Sequence, residues 1–80
     1  MGGRRIKLIW DFRGPDSEKT AEHHDLHLKE YIRTTNGNEG DTGHVVHSEF
    51  HSIAFLVVDE EKMISVRDQL LPHRGEYVTT

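Results

Sequence analysis

Residues 51–58, His51-Ser52-Ile53-Ala54-Phe55-Leu56-Val57-Val58, close on six consecutive apolar side chains. A surface strand alternates apolar and polar residues, because only one of its faces meets a core. Apolarity on both faces means that both are covered. This run therefore belongs in the middle of a sheet, and the rest of the chain has to supply its neighbours.

Upstream, residues 44–49 form a second run rich in β-branched residues, and no glycine or proline separates it from the first. Either a tight turn over Ser48 to His51 makes a hairpin, or one long strand bends at a bulge. The hairpin is the better reading. Residues 35–43 read as a loop, since glycine, Asn and Asp dominate them. Calcium ligation there is not expected, because the EF-hand spacing and its terminal glutamate are missing.

Further back, Ile6, Leu8, Trp10 and Phe12 alternate with Lys7, Ile9 and Asp11, which predicts a strand over 5–12. Arg13-Gly14-Pro15 ends it. Asp16 or Ser17 is a fitting helix N-cap, and Glu18 suits the first turn. A helix over 16–34 follows, with Ser17, Ala21, His24, Leu28, Tyr31 and Ile32 on one stripe.

Downstream of the apolar run, Asp59 is the expected N-cap of a helix over 60–71, with Met63, Val66 and Leu70 on its inner face. Pro72 stops it, His73-Arg74-Gly75 turns the chain, and 76–80 make a last strand. The order β-α-β-β-α-β over residues 1–80 is a single α+β domain of the ferredoxin-like plan. In that plan a four-stranded antiparallel sheet carries both helices on one face. Its central strands are the first and the third, the two most apolar ones here.

An 80-residue chain buries only roughly 60–65% of the surface its unfolded form exposes. It has no cysteine, so neither disulfides nor thiolate-held zinc can add stability. Oligomerisation or a histidine or carboxylate metal site remains. The outward face of the sheet would carry either Ile53, Phe55 and Val57 or Ala54, Leu56 and Val58. An apolar trio of that kind marks an interface, and a homodimer through the sheet is expected. A net charge of -4 argues against nucleic acid as a partner. No apolar run reaches membrane-spanning length, and Met1-Gly2-Gly3-Arg4-Arg5 is neither a secretory signal nor a myristoylation start. A cytoplasmic protein is the default expectation.

Seven histidines carry the chemical interest. His23, His24 and His27 cluster in the first helix, and His44, His47 and His51 near the second and third strands. His24 and His27 are neighbours on a helix face, and His51 enters the central strand. A divalent metal, zinc or similar, could be held by His24, His27 and His51, with Asp11 or Glu49 nearby. The competing reading is a set of surface histidines bonded to backbone or carboxylates. There is no HExxH motif. A ligand pocket between the first helix and the sheet could be lined by Trp10, His24 and Tyr31, with His24 as acid or base. The plainer alternative is a core-edge histidine. Asp11 is expected to pair with Lys7 or Arg13, and His73 to cap a helix end. Arg13, Arg67 and Arg74 could hold a carboxylate, though solvated arginines are the simpler reading.

The strand order, the chain's size and the two-sided third strand resemble the dimeric α+β-barrel superfamily, across nearly the whole chain. That superfamily includes muconolactone isomerase-like, antibiotic-monooxygenase-like and YCII-like proteins. The resemblance implies two sheets packed face to face with helices outside. For the YCII-like branch it implies a histidine paired with an aspartate in a cleft, a role open to Asp11 and the clustered histidines. One fold hosts many functions, so the activity stays open. The expected function is a homodimeric small-molecule binding or sensing module with a histidine-lined seam. The alternatives are a small enzyme using histidine acid–base or metal chemistry, and an interaction protein with no site.

Overall fold

The structure, a computed structural model, describes residues 4–35 and 41–78. Six elements follow one another: β1 (Arg5–Arg13), α1 (Ser17–Thr35), β2 (Asp41–Ser48), β3 (His51–Asp59), α2 (Glu60–Leu70) and β4 (Arg74–Tyr77). The sheet runs β2-β3-β1-β4 with every pairing antiparallel. This is the ferredoxin-like α+β order, with the two most apolar strands in the centre. The stretches Met1–Gly3, Asn36–Gly40 and Thr79–Thr80 lie outside the described residues. So do the readings of the chain start, of most of the 35–43 loop and of the end of the last strand. Among the described residues, no helix is long and apolar enough to cross a membrane.

Packing explains the face assignments. Ile6, Leu8 and Trp10 of β1 and Ala54, Leu56 and Val58 of β3 form one core with Leu28 and Ile32 of α1 and Val66 of α2. Such burial contributes about 1.5–3 kcal/mol per large side chain, which makes this cluster the main stabilising term. Ser17 and Ser52 are also buried on this side, where their hydroxyls lie 3.4 Å apart and satisfy one another. Asp59 occupies the N-cap of α2 without a side-chain capping hydrogen bond, and the Glu60 N–H is met by the Arg4 carbonyl at 2.8 Å. The helix ends on Leu71, which takes a left-handed conformation (φ 51°) before Pro72.

The opposite face of the sheet carries Ile9, Ile53, Phe55 and Val57. It is not the bare apolar patch that the sequence suggests. Ile53 is only 3% and Val57 only 8% exposed within the single chain. Their own neighbours cover them: the Lys7 ammonium stands 4.5 Å from the centre of the Phe55 ring, and Arg74, paired in register with Ile9, reaches across to Asp11.

Two boundaries move for a tertiary reason. β2 starts at Asp41 rather than 44, because Asp41, Thr42 and Gly43 pair with Val57, Leu56 and Phe55. Gly43 is needed there, since a Cβ would stand 2.6 Å from the Phe55 ring. β4 starts at Arg74 rather than 76, with Arg74 and Gly75 laddered to Ile9 and Leu8. Strand pairing thus overrides turn-like composition in both places.

Candidate functional site

The charged groups of the open face converge on Asp11. Arg74 grips its carboxylate with two hydrogen bonds, Nε to Oδ2 at 2.9 Å and Nη2 to Oδ1 at 3.2 Å. His51 Nε2 lies 2.9 Å from Oδ1. The register makes this possible: Arg13 faces His51 and Asp11 faces Ile53, so Asp11 and His51 are diagonal neighbours on one face. Arg74 arrives from the other side through its pairing with Ile9.

The bond from Arg74, and then that from His51, hold the Asp11 carboxyl well below the usual carboxylate range, against a smaller upward push from burial. Asp11 is therefore ionised, and an ionised carboxylate only accepts. In the neutral ring, His51 must carry its proton on Nε2 and donate it to Asp11. Nδ1 is then left with its lone pair. His51 and Asp11 keep 22% and 19% of their side-chain surfaces exposed, so the pair is sheltered but reachable.

His47 joins from β2. A bulge between Val46 and Ser48 breaks the register at that residue, and its ring comes within 5.1 Å of the His51 ring. Bulges commonly re-aim one side chain in this way.

No known family model matches the chain, and no curated protein or solved structure does either. Its chemistry has to be read from its side chains.

The seam between α1 and the sheet is arranged differently from the sequence expectation. His24 does lie against Trp10, with ring centres 4.7 Å apart, and against Phe12 at 5.5 Å. Trp10 is buried, and its Nε1–H donates to the Leu70 carbonyl at 3.1 Å. Tyr31 sits two helical turns from His24 and donates its hydroxyl to Gln69 of α2 at 2.7 Å. Trp10 and Tyr31 thus tie the sheet and α1 to α2. Burial pushes the His24 imidazole below its ordinary 6.5, with His27 and His73 adding to the effect. Its buried Nε2 has no hydrogen-bond partner among the described residues.

The candidate metal ligands His24, His27 and His51 are not brought together. His24 packs on the helix side with Trp10, while His51 meets Asp11 on the open side. His27 is exposed on α1. Among the described residues, no group of three or more His, Asp or Glu is placed to hold a metal ion.

Three partners were not foreseen. Arg74 takes the place expected of Lys7 or Arg13 beside Asp11. His73 does not cap a helix: its Nδ1 accepts the Asp11 backbone N–H at 2.8 Å, extending the β1 ladder one step past β4. Asp25, buried on α1, accepts from Lys29 Nζ at 2.6 Å and from His44 Nδ1 at 2.9 Å. Burial raises the Asp25 carboxyl, but the hydrogen bonds from Lys29, His44 and Thr42 outweigh it and hold it below its ordinary value. The four-residue spacing of Asp25 and Lys29 was the signal in the sequence that could have revealed it.

Proposed function

We propose that the chain is a small acid–base module acting on a small anionic molecule at the open face of its sheet, with His51 as the proton-transferring group. One observation carries this reading: His51 Nε2 is 2.9 Å from an aspartate that Arg74 keeps ionised. A fixed carboxylate behind an imidazole selects the tautomer, orients the ring and stabilises the imidazolium formed when the ring takes a proton.

The step is proton abstraction next to a carbonyl. Nδ1 of His51 takes the proton, and the electron pair of the broken C–H bond moves into the carbonyl as an enolate. Asp11 balances the new positive charge on the ring. Arg13, paired directly with His51 across β1 and β3, supplies a cation for a substrate carboxylate. A second copy of the chain laid over this face would exclude water from the pair and strengthen each of these interactions. The homodimer is part of the proposal.

The test is deuterium exchange at carbon in a panel of 2-oxo and 3-oxo carboxylates, followed by proton NMR with the wild type and with His51→Gln. At least one member should exchange faster with the wild type than with the variant, and it should perturb the His51 ring resonances. Equal exchange for the whole panel, with His51 resonances unmoved, would overturn the reading. Sedimentation equilibrium on the same sample should show a dimer; a monomer throughout the micromolar range refutes the enclosed form of the site.

A further inference from the structure

On the helix side of the sheet, away from His51, a cavity of about 370 Å³ opens between α2 and β4. Ile6 and Leu8 form its floor, Met63 and Arg67 come from α2, and Gly75 and Tyr77 come from β4. Its size lies within the roughly 300–1,000 Å³ of ordinary small-molecule sites. Gly75 keeps it open. A Cβ there would stand 3.4 Å from Leu8 and 3.6 Å from Ile6, which is ordinary contact, so a larger side chain would spread over the same floor.

Among the charged and imidazole side chains around this apolar floor, Arg67, His73 and Arg74 are donors and Glu76 is an acceptor. Arg74 and Glu76 alternate to the open face, where they lie 3.8 Å apart. Tyr77 gives its hydroxyl proton to Glu60 at 2.7 Å, so it offers the cavity a ring. Arg74 is engaged by Asp11 and Glu76, which leaves Arg67 as the cation the wall can offer a ligand. Its tie to Asp68 is long, at 3.5 Å, and both side chains are more than half exposed, at 52% and 67%. Such a pair is worth little and yields readily to a better anion. His73 also lines the cavity. Its Nδ1 accepts the Asp11 N–H, so the neutral ring keeps its proton on Nε2, a further donor.

We propose that this cavity binds a small amphipathic carboxylate, an aryl or branched alkyl acid. Its apolar body rests on Ile6, Leu8, Met63 and Tyr77, and its carboxylate meets Arg67. The site lies across the sheet from the acid–base pair, and His73 and Arg74 at its rim also hold Asp11.

The experiment is a ¹H–¹⁵N NMR titration of the full chain with phenylacetate and, separately, with the neutral phenylacetamide. Phenylacetate should shift the amides of Arg67, Gly75 and Tyr77 in a saturable way and bind about ten-fold tighter than the amide. Arg67→Gln should bring the acid down to the affinity of the amide. Gly75→Val should abolish binding of both. If Gly75→Val does not fold, the exposed Arg67→Gln variant decides the matter alone. Equal affinity for acid and amide, shifts centred elsewhere, no saturable binding, or an Arg67→Gln variant that binds like the wild type would each overturn the proposal.

Discussion

Replacing Asp11 with Asn removes one charge from a cluster built around it. The carboxylate accepts three hydrogen bonds, two from Arg74 and one from His51, all between 2.9 and 3.2 Å. An amide keeps one acceptor oxygen and turns two donor hydrogens toward groups that are themselves donors. Fully buried charge-assisted bonds would make this loss large, but Arg74 is about half exposed and solvent screens it. The cost at pH 7 should therefore be about 1–2 kcal/mol. In a domain of this size each kcal/mol moves the melting temperature by about 4–8 °C. The effect also has a pH signature. The carboxyl is held below its ordinary 3.8 in the fold, so its contribution is complete above that value and is lost as pH falls below it. Urea titrations of both proteins at pH 7 and at pH 3 measure this: the gap should be open at pH 7 and narrower at pH 3. In the same samples, long-range ¹H–¹⁵N spectra should show the Nε2–H tautomer of His51 in the wild type and a mixture in Asp11→Asn. Equal stabilities at pH 7, or a gap that does not narrow in acid, would refute the clamp.

Two other perturbations probe the packing. Burial, with His27 and His73 beside it, lowers the His24 imidazole below its ordinary 6.5 in the fold. The unfolded chain therefore takes up a proton first, and stability should fall as pH drops below about 6.5. His24→Phe should flatten the change in urea midpoint between pH 8 and pH 5; an unchanged slope would show that another group is responsible. Gly43→Ala places a Cβ 2.6 Å from the Phe55 ring and should destabilise by about 1–3 kcal/mol. In the Phe55→Leu background the same change should cost clearly less, and additive costs would count against a clash with the ring.

The order of elements was legible in the sequence because β1 and the two helices have clean periodicities and because β3 is apolar throughout. That same uniformity hid the site. A strand with Ile53, Phe55 and Val57 on one side and Ala54, Leu56 and Val58 on the other gives no alternation to show which side meets the core. The face of His51 depends on that choice. Once Ser52 is buried against Ser17, His51 must point away from His24, and the three-histidine grouping dissolves. The Asp11–His51 pair further requires the exact register of β1 on β3, which no local pattern encodes. Arg74 was hidden differently: Gly75 makes its neighbourhood look like a turn, and only the ladder to Ile9 and Leu8 turns it into a strand.

The short turn at Glu49 and Phe50 has a consequence for how the chain assembles. It joins β2 to β3 directly, so this hairpin is a local structure that can close within microseconds. The β1–β3 pairing is of the opposite kind. It joins Arg5 to Asp59 and Arg13 to His51, and residues 14–50 must be looped out before it yields any contact. β4 pairs with β1, so it has no template until that strand has docked. The hairpin is the natural starting point of folding and β1 docking its slow step. Because Arg74 lies on β4 and His51 on the hairpin, Asp11 is where the first and the last pieces to arrive are joined.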